Sequence, residues 1–296
     1  MNCKKLFSLF IMLSINYNVY SQQSKFEIIN LARLEVKIID NAFVETDSVK
    51  NRNLIINKLF IPHKNFWNSY MGSKNEFIEW YENNMLQYKN KKINAKKLSR
   101  ELKNIKYTMS KMTGYKPTGT WYIIYGAAWT DLGGLADGTM LIDLAHKNNF
   151  SIEQIAKFFP HELSHQVYFN QNRFNDITAL KSIIDEGLAV YVNQVYWENK
   201  YSLAENLGYS ENELKKCIEN ENLINEFFDI NKFSTDKEII NQFRSRNFSI
   251  LPEKLPGAIG YYIGYNIVKN YVRKNGKDSW KRIYTESPLS VYNASL

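Results

Sequence analysis

Cysteine is scarce in this chain of 296 residues: only Cys3 and Cys217 are present. That excludes a disulfide framework, so the fold must be held by an apolar core or by a metal. Proline, with six residues, and glycine, with 13, are too few for a collagen-like or linker-rich chain. Neither G-x-x-x-x-G-K nor G-x-G-x-x-G occurs, so no glycine-rich phosphate cradle is expected. Internal repeats are absent, and so is any concentrated basic stripe. The net charge of +8 is dispersed, and its densest run, Lys89 to Lys97, is interleaved with asparagine. Nucleic acid is therefore not an expected partner.

What is present is enough for a sizeable core: 44% hydrophobic and 15% aromatic residues. The N-terminus reads as a cleaved export signal over residues 1–21. Lys4 and Lys5 precede an apolar stretch from Leu6 to Ile15, and Val19-Tyr20-Ser21 offers a cleavage site before Gln22. A membrane span needs roughly 20 apolar residues, and Asn16 and Asn18 interrupt this one. The expectation is an exported chain, periplasmic or secreted, with no integral span after signal removal. Its charge is +6 once Lys4 and Lys5 are gone. Cys3 lies before the apolar stretch and so is no lipid-attachment cysteine, which leaves Cys217 alone.

Patterning predicts a helical front part, a small sheet and a helical back part. Residues 24–46 fit either helix or strand. Residues 47–70 look helical and end at Met71-Gly72. Ser73-x-x-Glu76 is a capping box. A helix over about 94–112 carries Leu98, Leu102, Ile105 and Met109 on one face. Thr120–Tyr125 and Thr139–Leu144 read as strands separated by a loop, Gly126 to Gly138. Ser151-x-x-Gln154 caps a helix that meets Pro160, which either kinks it or opens a new one. Helices follow over 178–200, in short pieces to about 250, and over 258–274. No sharp domain boundary shows. The expected layout is 22–116 as an N-terminal helical region and 117–296 as the domain that carries the chemistry.

That chemistry centres on His161-Glu162-Leu163-Ser164-His165. Histidines four apart share one helix face, so two imidazoles can bind one zinc ion. Glu162 is rotated about 100° from His161 and can reach water at the metal as a general base. With four histidines in the chain, H-E-x-x-H would arise by chance in only a few of about a thousand such sequences. A third histidine is excluded as third ligand: Tyr168 and Gln171 stand where H-x-x-G-x-x-H needs glycine and histidine. Glu186, 21 residues after His165 in an apolar segment, is the expected third ligand, since a carboxylate there needs compensation. Asp185 and Asp143 are candidates to orient the imidazoles. His63 and His146 read as loop or core residues.

H-E-L-x-H followed by Glu186-Gly187-Leu188-Ala189-Val190-Tyr191 resembles the gluzincin superfamily of zinc peptidases. Gly260-Tyr261-Tyr262-Ile263-Gly264-Tyr265 looks like a segment of an uncharacterised family of predicted Zn-dependent proteases. The resemblance covers roughly 117–290. It implies a mainly helical, zincin-like α+β fold, with a small mixed sheet beside the H-E-x-x-H helix and a glutamate-bearing helix. It also implies Zn2+, hydrolysis of a peptide or protein substrate, and an edge strand at Thr139–Leu144 that pairs with it. Glu162 would move the proton of a zinc-activated water. Tyr261 would stabilise the oxyanion, with Tyr262 and Tyr265 as competitors.

Two other readings stand beside the metallopeptidase. One is a non-catalytic cell-envelope protein on the same scaffold, because a gliding-motility lipoprotein family is distantly similar to the C-terminal part. The other is a zinc amidase acting on a non-protein substrate.

Overall fold

The computed structural model describes residues 25–44, 48–84, 88, 93–135, 137–174, 177–246 and 255–296. The export-signal expectation for 1–21 lies outside them. The described residues form a mainly helical α+β protein with one small mixed sheet. They group into two compact units, one comprising the residues up to Ile105 together with Thr118–Phe159, the other Lys106–Pro117 and Pro160–Leu296.

The first unit opens with strand β1 (Phe26–Asn30) and helix α1 (Ala32–Val44), so the ambiguous stretch contains both element types. Helix α2 (Ser48–Ile55) passes through a π-helical turn at Ile56–Phe60 and a 3-10 turn at Ile61–His63, then becomes α3 (Lys64–Met71). Pro62 lacks the N–H that a continuous α-helix would use there. Gly72 ends α3 with φ of 88°, a conformation that favours glycine. The Ser73/Glu76 box then starts α4 (Lys74–Asn84), with the Ser73 N–H donating to Glu76 Oε2 at 2.7 Å. Helix α5 (Ala95–Thr113) buries Leu98, Leu102, Ile105 and Met109, as their spacing predicts. Its last residues belong to the second unit.

Strands β2 (Gly119–Ile124), β3 (Leu132–Gly134) and β4 (Met140–Asp143) complete a sheet in the order β1-β2-β4-β3. Its pairs are parallel except β3 with β4. This corrects two expectations. The glycine loop contributes β3, and the strand expected at the edge is an inner one, paired on both sides. Met140–Asp143 is buried throughout, as a strand flanked by neighbours requires. An aromatic core made by Phe60, Phe66, Trp67, Tyr70, Phe77 and Tyr81 packs with Ile124 and Leu141.

Helix α6 (Ile152–Gln171) begins in the first unit and ends in the second. Ser151 caps it through the Gln154 N–H at 3.1 Å. Pro160 lies inside this single helix. No new helix starts there, although proline removes the N–H that would reach the Ala156 carbonyl.

The second unit adds α7 (Ala179–Tyr196), α8 (Leu203–Leu207), α9 (Glu211–Glu219), α10 (Glu221–Asn231), α11 (Lys237–Arg244), α12 (Ile259–Asn275), a 3-10 turn (Ser279–Tyr284) and α13 (Pro288–Ser295). Thr178 caps α7, and Ser210 with Glu213 forms the expected capping box of α9. Helix α7 is buried along much of its length, through Ile183, Ile184, Leu188, Val190 and Val192 among others. It crosses α12 glycine to glycine. A Cβ on Gly187 would stand 1.9 Å from the Gly264 carbonyl carbon, and one on Gly264 would stand 1.9 Å from the Ile183 oxygen. Only hydrogen fits at that crossing.

Candidate metal centre

Helix periodicity puts His161 and His165 on one face of α6, and Glu186 meets them from α7. The His165 Nε2 is 3.1 Å from Glu186 Oε2 and 3.1 Å from His161 Nε2, and His161 Nε2 is 3.6 Å from Glu186 Oε2. His161 and Glu186 are buried, at 6% and 2% exposure. Among the described residues these three form the one cluster with metal-ligand donors in mutual reach.

Two observations bear on what the cluster can hold. Glu186 Oε2 is buried and accepts no well-directed hydrogen bond, despite its nearness to both imidazoles. The three ligand atoms also have the spacing of one face of a coordination tetrahedron: zinc at about 2.0–2.1 Å from each would set the edges near 3.3 Å. The donor set of two imidazoles and a carboxylate fits a divalent transition metal.

The surroundings orient the cluster. Asp185 Oδ1 is 2.8 Å from His165 Nδ1. That bond places the proton on Nδ1 and leaves Nε2 as a lone pair toward the cluster. Burial would lower the His165 pKa, but Asp185 and Glu186 outweigh it and raise it well above the usual range. Burial would likewise raise Glu186, yet His165, His161 and Arg244 hold it well below the usual carboxylate range. The cluster therefore demands a cation, either a proton or a metal ion. The Arg244 Nε donates to Glu186 Oε1 at 3.1 Å. His161 has no comparable partner at Nδ1. Its ring instead lies parallel to Tyr261, within 6° at 5.9 Å between centroids.

Of the three candidate tyrosines, Tyr261 faces the cluster. Burial and the Glu186 carboxylate push its hydroxyl well above the usual tyrosine range, and Glu162 acts on it too, so it remains a donor. Tyr265 donates to Gln194 at 2.8 Å, and Tyr262 interacts with Asn266 and Glu221. Glu162 is half-buried on the turn of α6 that carries His161.

Asp143 does not serve the cluster, because its acceptor capacity is used. Its oxygens take Tyr70 Oη at 2.7 Å and the N–H groups of Gly126, Ala128 and Ala145 at 2.8 Å. His63 packs edge-on against Tyr122, and His146 Nδ1 accepts from the Asn148 N–H at 3.3 Å. The sequence reading missed Arg244. Its signal was faint: a lone arginine in register with buried Ile240 and Phe243, at the helical spacing of α11.

A family model described as gliding motility protein GldB matches residues 140–295. No curated protein and no solved structure matches the chain. The matched segment contains the whole cluster, and it corrects the peptidase expectation. The similarity is to a gliding-motility family rather than to a protease, and it carries neither protease nor zinc with it. The H-E-x-x-H…E pattern specifies convergent ligands, and convergent ligands do not by themselves specify peptide-bond cleavage. With more than half of its length matched, from β4 to the end of α13, the chain belongs to the gliding motility protein GldB family.

Proposed function

We propose that this chain is an envelope-associated component of gliding motility that keeps a zinc ion at His161, His165 and Glu186 and does not cut peptide bonds. The observation that carries the metal part is the 3.1, 3.1 and 3.6 Å triangle of ligand atoms around the buried Glu186 oxygen. Envelope association is supported by the family and by the leader-like N-terminus. None of the described helices is long and apolar enough to cross a membrane.

The ion, when bound, supplies positive charge that ties α6 to α7. Asp185 orients His165, Arg244 neutralises the outer oxygen of Glu186, and Tyr261 covers the His161 ring.

A second reading, hydrolysis of an amide bond in a non-protein substrate, draws on Glu162. It stands beside a protonated Tyr261, so one carboxylate can take a proton from water while one hydroxyl donates to the developing oxyanion.

One experiment separates the two. The purified chain should hold about one zinc per molecule, as should Glu162→Gln, while His165→Ala should hold little. In a gliding host lacking the chain, wild type and Glu162→Gln should restore spreading and His165→Ala should not. Wild type without zinc would sink the metal reading. Loss of spreading in a zinc-loaded Glu162→Gln would favour hydrolysis.

A further inference from the structure

We propose that Arg244 makes this centre a receptor for an oxyanion, a carboxylate or phosphate group gripped by the guanidinium beside the metal position. The inference rests on the metal reading above and names the class of ligand that the site takes.

Neutralising Glu186 uses little of what Arg244 offers. A guanidinium has five N–H donors in a planar fork. Among the described residues Arg244 makes one hydrogen bond, from Nε to Glu186 Oε1. The side chain is 35% exposed, whereas Glu186 is 2% exposed. The Nε edge of the guanidinium thus holds the ligand carboxylate, and among the described residues the two Nη groups make no hydrogen bond. Their planar pair matches the two oxygens of a carboxylate or phosphate.

Placement completes the case. Glu186 offers Oε2 to the cluster and Oε1 to Arg244. The guanidinium therefore sits one carboxylate away from the point on which the ligands converge. Tyr261 is close enough for its hydroxyl to sense both Glu186 and Arg244. An oxyanion spanning this space would meet the ion, the fork and a phenol.

Net charge does not explain the grip. Asp185, Glu186 and Glu162 balance Arg244 and a divalent ion, so the loaded centre is neutral. Directed hydrogen bonds must hold the anion, which makes the fork decisive. Arg244→Lys keeps the charge opposite Glu186 and removes the fork.

The test uses the mature chain loaded with Co2+, whose visible spectrum reports changes around the ion. Inorganic phosphate and acetate are titrated in separate arms at constant ionic strength. Wild type should give a saturable spectral change with at least one, and the tighter arm identifies the source of the oxyanion. Arg244→Lys should weaken that binding about tenfold or more. Its Co2+ affinity is measured by chelator competition alongside, and the anion constants of both proteins are compared at full Co2+ occupancy. Arg244→Gln should weaken the anion at least as much. Equal anion affinity in wild type and Arg244→Lys, or no saturable change with either anion, would overturn the proposal while leaving the metal reading intact. Failure of wild type to take up Co2+ would overturn both.

Discussion

Each unit sets two carboxylates against polar partners, Glu35 and Asp143 in the first and buried Glu186 with half-buried Asp185 in the second, and treats them in opposite ways. In the first, Glu35 accepts from the Tyr81 hydroxyl and the Tyr125 N–H, while Asp143 accepts from Tyr70 and three N–H groups. These donors are uncharged. Burial raises both pKa values, that of Glu35 to about 8. In the second, Glu186 and Asp185 face histidines and an arginine, and Glu186 is held low despite equal burial. One of its oxygens lacks a well-directed hydrogen bond. A buried carboxylate surrounded by neutral donors is closed and structural, whereas one surrounded by lone pairs and cations that converge at a point is built around a charge.

The largest effect should come from breaking the closed pair. Asp143→Ala would leave three N–H groups and a tyrosine hydroxyl without their acceptor. It should destabilise the protein by about 3–5 kcal/mol in denaturant titration, with zinc per folded molecule unchanged. A parallel fall in zinc would break the contrast between the two pairs.

A smaller effect sharpens the same contrast through pH. The folded pKa of Glu35, about 8, exceeds its reference value of 4.5. The folded state therefore keeps a proton that the unfolded state loses, and stability should fall as pH rises from about 4.5 to 8. Glu35→Gln should flatten that slope and add up to a few kcal/mol at pH 8. An unchanged slope, measured by melts across this range, would show that Glu35 does not titrate there.

The smallest effect tests the open pair through its scaffold. Gly187→Ala would drive a methyl group into Gly264 and should cost about 1–3 kcal/mol. It should also weaken metal binding, because α7 carries Glu186 and α12 carries Tyr261. Reduced stability with wild-type metal affinity would show that the crossing supports the fold alone.

How much of this was legible in the sequence varied with the range of the interaction. Capping boxes at Ser73, Ser151 and Ser210, and the apolar face of α5, were readable because their partners lie three or four residues away. Strand β3 was not, since Leu132–Gly134 is glycine-rich and becomes a strand by pairing with Met140–Ile142. The same pairing makes β4 an inner strand. At the centre, His161 and His165 were readable from helix geometry. Glu186 was readable from the cost of a charge in an apolar segment, and Asp185 was one of two candidates. Arg244 lies 58 residues beyond Glu186, and no local pattern links them.

The sequence by itself determined the helices, the scarcity of cross-links and the two histidines on one face, because each follows from composition or from contacts within a helical turn. Only the tertiary structure decided that Glu186 faces those histidines and that Asp185 rather than Asp143 orients His165. It likewise singled out Tyr261 and brought Arg244 beside Glu186. Those choices depend on how α6, α7, α11 and α12 pack, and the packing turns on close approaches such as Gly187 on Gly264. A glycine's lack of a side chain is visible in the sequence, but the backbone that comes to occupy that space is not.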